Sequence, residues 1–565
     1  MISTEKKYTS DDVTPKEKIS LLTGDQVITA IQDEHFLTQW DELYQKCSWS
    51  TVFQNPNFVT HWYQIYRDEF EPIMVTYYKG QNLAGLLTMA ISSQKEGTSK
   101  KNYRGKIIGA GHYEAEYQSW LSTPEENDEF IHQALTLINR DFPNCHIFFR
   151  YLIPEVPLGW IDTYPKWRKK TVMQAYKRPI MRMDDPEISK LFRKKEFRNK
   201  YNRLKRFGDL SFKKISDQEE FSQVLPILIE QFEFRQMAMF NKCQFTDSPE
   251  KLEFLMALFE QGLLHATILK VDDEIVASIL GLMEKNWYHL GAINTHSPVY
   301  GNHSPGFVHF ILLGELLSQN SQNIFDLTPG GDAYKERMAT DHDHVTEMCI
   351  AGSQLFDKKQ RLKYLFHDYL MRWKKRPMSI QLALKKKKYN FKHRLKKIKN
   401  YGLKALLSKD QPILDKKQET LYPVQLPTSI DQIMVPVKRN KLGDLLAYEE
   451  DQYGRSPWEF LEDSMLKYAE EFHAITWAEN GVLLACAWVC SDKRWTKLFG
   501  VPFPGKPHPV ITDIFYHPQI KDRLGDFISA TIIKVLSQKK DPKIYICSHP
   551  KKTGIQEWVR QHKQG

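Results

Sequence analysis

Hydrophobic and polar positions along the chain repeat one order of periods three times. In the first stretch, Phe36, Trp40, Leu43 and Tyr44 share one helical face. Phe58, Trp62, Ile65 and Tyr66 do the same in a second predicted helix, with Asn57 as its N-cap. Pro72–Tyr78 and Leu83–Ile91 read as a hairpin across Lys79-Gly80-Gln81-Asn82, followed by a strand at Lys106–Gly111, a helix at Glu129–Asn139 and a strand at Cys145–Leu152. The second stretch predicts a helix at Gln218–Phe234 kinked by Pro226, and a helix at Glu250–Glu260 capped by Ser248. A hairpin at Leu264–Val271 and Ile275–Met283, a strand at Trp287–Ile293, a helix from Ser304-Pro305-Gly306 to Ser318 and a strand at Ile324–Leu327 follow. The third repeats the order: helix Pro457–Phe472, strands Ala474–Trp477 and Val482–Val489, strand Val510–Phe515, helix Arg523–Leu536 and strand Lys543–Cys547.

The pattern divides the chain into a flexible segment 1–24, an α/β unit 25–184, a second unit 185–356, a basic helical connector 357–427 and a C-terminal unit 428–565. A chain of 565 residues with 41% apolar positions is long enough for several cores. The repeated order points to internal duplication, each unit having its own core.

Charge separates the connector from the rest. Between Lys358 and Lys409 stand 19 Lys and Arg against one acid, Asp368, a net of +18; the whole chain carries +10, so the remainder is −8. Leu362, Leu365, Phe366, Tyr369, Leu370 and Trp373 alternate with the basic residues, and Leu395, Ile398, Leu403 and Leu406 continue the pattern. Three readings stay open: a solvated connector, attachment to an anionic membrane surface or an envelope-synthesis complex, and, third, nucleic acid such as tRNA.

Seven scattered cysteines oppose a disulfide framework; Cys486 and Cys490 fall on one face of a strand as core thiols. Without an apolar signal region or a run of ~18 apolar residues, the chain reads as cytoplasmic, or peripheral at the inner face of the membrane. Asp341-His342-Asp343-His344 reads as a polar turn, and no metal site is expected.

Two constellations carry candidate chemistry. In Tyr300-Gly301-Asn302-His303-Ser304-Pro305-Gly306-Phe307, a capped helix start with a glycine would offer free N–H groups to a pyrophosphate; a plain helix cap is the alternative. In Phe325-Asp326-Leu327-Thr328-Pro329-Gly330-Gly331-Asp332-Ala333-Tyr334-Lys335, burial would raise the Asp326 carboxyl unless a cation such as Lys335 compensated; an Asx turn is the alternative.

Arg193-Lys194-Lys195, Asn199 and Tyr201–Phe212, then Asp273, Ile275 and Ala277, Ser304-Pro305-Gly306, Phe325-Asp326-Leu327 and Tyr334-Lys335 together resemble the CelD/BcsL (cellulose-biosynthesis-type) acetyltransferases of the GNAT superfamily, relatives of the Fem peptidyltransferases. A fainter echo lies at Trp49–Phe58 and Trp62. The resemblance implies an α/β fold with a mixed sheet splayed at its centre, built here as tandem GNAT-like units with a third at the C-terminus, the second being catalytic. It implies an acyltransferase taking acetyl-CoA or another acyl-CoA as donor and an amine or hydroxyl of a sugar or peptide as acceptor, in exopolysaccharide or cell-envelope synthesis. By position, His303, Ser304, Gly306 and Phe307 would hold the donor; Asp326, Tyr334, Lys335 and His296 would serve catalysis; Arg235 and Tyr288 would meet the acceptor. The chain departs from the family's phosphate loop at Gly301, Ser304 and Pro305, the last removing an amide donor. A non-catalytic scaffold of a polysaccharide-synthesis complex and Fem-like aminoacyl transfer from tRNA are the alternatives.

Overall fold

The computed structural model describes residues 17–93, 99–320, 322–373, 375–401, 420–424, 435–450, 455–499, 508–537, 543–548 and 553–562. It is a mixed α/β architecture in which the predicted order recurs three times. Helices Glu34–Lys46 and Pro56–Ile65 precede the hairpin Phe70–Lys79 and Asn82–Ser92 in the first unit. Gln218–Phe240 and Glu250–Glu260 precede Leu264–Val271 and Glu274–Glu284 in the second, and Pro457–Ala469 precedes His473–Glu479 and Val482–Cys490 in the third. Each hairpin leads to a strand, a helix and a further strand parallel to the first: Gly105–Gly109 with Cys145–Leu152, Trp287–His296 with Ile324–Asp326, and Val510–Tyr516 with Ile544–Ser548. Phe36, Trp40, Leu43 and Tyr44 all turn into the core, as their spacing requires. Cys486 and Cys490 are buried core thiols.

Among the described residues, the first two units share one 13-stranded sheet, whereas the third has its own six-stranded sheet. The join is an exchange. Thr171–Arg182, from the first part of the chain, pairs with Ile324–Asp326 of the second, and Asp341–Ile350 of the second pairs with Cys145–Leu152 of the first. The two exchanged strands then pair with each other along their length, from Asp341 opposite Ile180 to Ile350 opposite Thr171. One apolar cluster accordingly runs through both units, from Val27 to Ile350.

Several expectations need correction. The segment predicted to be flexible through residue 24 contains an edge strand, Glu17–Thr23, paired with Phe70–Lys79, whose ladder bonds the backbone groups on its inner side. Asn55, not Asn57, caps the helix beginning at Pro56, its side chain accepting from the Asn57 amide at 2.8 Å. The Ser248 hydroxyl bonds to Glu250 and caps nothing. Gln218–Phe240 continues through Pro226 as one helix. Asp341–His344 opens a strand, because Arg178 on the neighbouring strand draws Asp343 into an ion pair. The connector is helical over Gln354–Arg372 and Pro377–Tyr401; Leu403 to Lys409 lies outside the described residues.

Candidate active site

Trp287–His296 and Ile324–Asp326 run side by side for three residues, His289 standing opposite Asp326. Beyond that pair the strands part. Among the described residues, the segment from Leu290 to His296 has a strand neighbour only on its Glu274–Glu284 side. A bulge at Gly291–Ala292, with Ala292 at φ 44°, shifts the register there and bends the free edge outward. On the other side the chain turns away through Thr328 (φ 61°), Gly330 and Gly331 into the short helix Ala333–Met338. A gap therefore opens at the sheet's centre.

At the point of parting lies a buried polar cluster. Asp326 is fully buried. Its Oδ2 accepts from Tyr117 Oη at 2.5 Å and lies 2.9 Å from His289 Nδ1, while Oδ1 accepts from the Thr328 amide at 2.8 Å. The Arg178 guanidinium, also fully buried, stands 3.8 Å from Asp326 and pairs with Asp343 on its other side, Nε to Oδ1 at 2.7 Å. Its Cζ lies 5.0 Å from the ring centroids of both Tyr117 and Trp287. Burial alone would push the Asp326 carboxyl up; Arg178, His289 and Tyr117 together hold it below the usual carboxylate range. Desolvation would likewise weaken the Arg178 cation, but Tyr117 and the two aspartates keep it firmly charged. Asp326 is thus an ionised anchor, engaged on both oxygens and unsuited to accept a further proton.

His289 is its effector. The imidazole is wedged between Trp287, stacked at 5.6 Å between centroids, and the rings of Phe53 and Tyr117 at 5.5 Å. With Nδ1 committed to Asp326, Nε2 makes no hydrogen bond to the described residues. The ring lines a cavity of about 120 Å³, together with Arg178, Trp287, Glu284, Lys285 and, from the first unit, Ser50 and Thr51. Arg178 Nη1, the atom nearest Asp326, is a buried donor without a hydrogen-bond partner among the described residues. The cavity is held open by cross-unit bonds: Glu284 accepts from Tyr44 Oη at 2.5 Å and Asn55 Nδ2 at 2.8 Å, and Lys285 donates to Ser50 Oγ at 2.7 Å.

A second group lines the gap past the bulge. Asn294 donates to Tyr334 Oη at 3.3 Å, and Arg235 Nη1 donates to the Asn294 carbonyl at 3.4 Å. His296 stands beside Gly306: a side chain there would begin 3.5 Å from His296 Nδ1, so the space against the helix start exists because residue 306 has none. Burial and the nearby Arg235 push the His296 imidazole down to about 4. Burial and Asp332 push the Tyr334 phenol up to about 12, leaving it protonated at neutral pH.

The predicted residues thus fall into three places. Arg235, His296, Tyr334 and Gly306 converge around Asn294. Asp326 lies one step deeper, with Arg178 in place of Lys335 as its principal cation. Lys335 donates to the Thr328 carbonyl at 3.2 Å and hydroxyl at 2.8 Å; it ties down the glycine turn, and burial lowers its ammonium. Tyr288 belongs to neither group: its ring is sealed between Phe325 and His265 on the opposite face, because residues 287 and 289 take the site face and 288 must take the other.

The helix start also differs from expectation. A 3₁₀ turn at Pro298–His303 ends with the Ser304 amide bonded to the Gly301 carbonyl, which forces Ser304 to φ 58° and leaves its hydroxyl unable to cap Pro305–Gln319. The first intrahelical bond of this turn runs from Val308 to Ser304, so the amides of Gly306 and Phe307 precede the ladder. The preceding loop is partly covered: Asn302 donates to the Ala469 carbonyl of the C-terminal unit, and His303 leans on Phe207 at 4.6 Å. Ser304, Gly306 and Phe307 remain half-buried, and Lys200 lies 4.3 Å over the Phe307 ring. Lys200 is paired with Glu196 at 2.8 Å, so the glycine cradle with its free amides is what fits an anionic carrier.

Tyr117, Arg178, His289 and Asn294 were missed by the sequence reading. The one available signal was the His289–Asp326 pairing, implied once the two strands are taken as parallel neighbours.

Residues 192–336 match the family model described as acetyltransferase (GNAT) domain. No curated protein matches the sequence. Among solved structures, the chain is similar to the C-terminal domain (DUF2156) of a putative lysylphosphatidylglycerol synthetase from Agrobacterium fabrum, at 9% identity over 59% of this chain and 95% of that one, with a TM-score of 0.38. It is similar to FemX at 8% identity over 57% and 97%, TM-score 0.40. A tandem GNAT protein from the clavulanic acid biosynthesis pathway is similar at 9% over 59% and 98%, TM-score 0.33.

Proposed function

We propose that the chain transfers an acyl group from an acyl-CoA, acetyl-CoA being the first candidate, to an amine or hydroxyl of a sugar or peptide acceptor, in exopolysaccharide or cell-envelope synthesis. The observation that carries this is the His289–Asp326 dyad at the point where two parallel strands part, its Nε2 without a hydrogen bond to the described residues and its ring lining a cavity between the first two units.

In this proposal the donor lies along the free edge after the bulge, its phosphates by the amides of Gly306 and Phe307, and the acceptor enters from the cavity. The donor supplies a thioester carbonyl. His289 Nε2 takes the proton from the acceptor's N–H or O–H as that atom attacks the carbonyl carbon, Asp326 supporting the resulting imidazolium. The new C–N or C–O bond forms, the C–S bond breaks, and the departing thiolate takes a proton from Tyr334, whose own hydroxyl proton is uncommitted while Asn294 donates to its oxygen. Orientation of donor and acceptor contributes most of the rate.

A contrast within the chain favours placing catalysis in the second unit. The equivalent bulge of the C-terminal unit carries Asp513 at φ 43°, gripped by Arg455 at 2.9 Å and by Lys467, so charge fills that edge.

Calorimetric titration with a panel of acyl-CoAs tests the proposal: heat with at least one is expected, and it should vanish in Gly306→Asp. Absence of heat with every acyl-CoA would leave the scaffold alternative standing.

A further inference from the structure

The connector helix Gln354–Arg372 has two faces. Its inner face docks on the sheet: Phe356 stacks on His146 at 3.6 Å, and Tyr364 donates to Glu347 at 2.6 Å. Both acids of the helix are held away from the outer face, Asp357 by Arg361 at 2.9 Å and Asp368 by Gln174 at 2.9 Å. On the outer face, Leu355, Leu362, Leu365, Phe366, Tyr369 and Trp373 lie within one arc about 100° wide. They are 56% to 81% exposed. Lys359, Lys363 and Arg372 flank this stripe and Lys358 lies within it, all exposed. The next helix, Pro377–Tyr401, repeats the arrangement with Leu384, Phe391 and Leu395 exposed among Lys387, Lys388, Lys392 and Lys396.

An apolar stripe aimed at water is costly unless something covers it, and nothing among the described residues does. We infer that these two helices form a docking face for an anionic phospholipid bilayer, on which the apolar stripe enters the headgroup–acyl boundary while the flanking lysines meet lipid phosphates. The chemistry chooses the occupant. Nucleic acid would use the lysines and the aromatic rings but leave Leu355, Leu362 and Leu365 in water, whereas a bilayer surface satisfies both components at once. The net charge of +18 over 358–409, set against −8 for the rest of the chain, orients that face toward negative lipid. Arg376, at the junction of the two helices, donates to the Gly330 carbonyl at 2.6 Å and to Asp332 at 2.8 Å, so the docked face would lie beside the turn that frames the candidate site. The inference stands independently of acyl transfer.

Flotation of the full chain with phosphatidylglycerol and with phosphatidylcholine vesicles tests it. Flotation with the anionic vesicles alone is expected, weakening as salt rises. Phe366→Glu combined with Trp373→Glu should reduce it at least tenfold without shifting the melting temperature; if that pair unfolds the protein, Leu362→Gln with Leu365→Gln replaces it. Failure to float, or equal flotation of wild type and a folded stripe variant, would overturn the inference. So would a salt-sensitive RNA complex formed equally well by the stripe variants in a protein that does not float.

Discussion

At the scale of single residues, Arg178 fixes the character of the site. It shares one guanidinium between Asp326 and Asp343, so removing Asp326 leaves the cation paired with Asp343 but takes the carboxylate acceptor from Tyr117, His289 and the Thr328 amide, and leaving such a buried group unsatisfied costs about 1–3 kcal/mol. Asp326→Asn should therefore lower both turnover and thermal stability. His289→Gln, which retains a polar side chain, should lower turnover by about 10²–10⁴ with little change in melting temperature. Equal activity of wild type and His289→Gln would dismiss the dyad as a catalytic device. Titration gives a separate check. Burial pushes His296 and His265 down to about 4 and His309 to about 3. Each is neutral when folded and binds a proton more readily when unfolded, so the stability they contribute is fully present above about pH 6.5 and is lost as pH falls toward 4. Melting temperatures measured from pH 7.5 to 5 should decline along that slope, and His309→Gln should flatten it. Asp326 was legible as a candidate because a strand end followed by glycines announces itself. Its partners were not: Tyr117 and Arg178 lie far upstream, and only strand pairing brings them near.

At the scale of elements, the bulge at Gly291–Ala292 and the glycine turn 330–331 create the gap, and neither follows from periodicity alone. The hairpins and amphipathic helices of all three units were legible, since each buries a regular face. Caps were read less well. Ser304 failed as a cap because the preceding 3₁₀ turn dictates its backbone, an effect of chain path and not of residue type. Gly281 illustrates how tightly the strands behind the site are packed: a Cβ there would lie 2.4–2.5 Å from the Tyr288 ring and hydroxyl. Gly281→Ala should thus destabilise the protein by about 1–3 kcal/mol, measurable by chemical denaturation, while leaving acyl-CoA affinity per folded molecule unchanged.

At the scale of the whole molecule, the repeated order of elements revealed tandem units, but the exchange of Thr171–Arg182 and Asp341–Ile350 was invisible, because a strand's sequence does not name its neighbour. A fragment ending at residue 184 would lack a strand beside Cys145–Leu152, so it should be recovered aggregated or unfolded, whereas 1–356 should give a cooperative melting transition. The exchange also bears on synthesis. A nascent chain leaving the ribosome reaches Ile147 roughly 200 residues before its partner Ile350 is made. Throughout that interval an apolar sheet margin stays open to chaperones and to other newly made copies, which makes the speed of translation through residues 153–350 a determinant of yield.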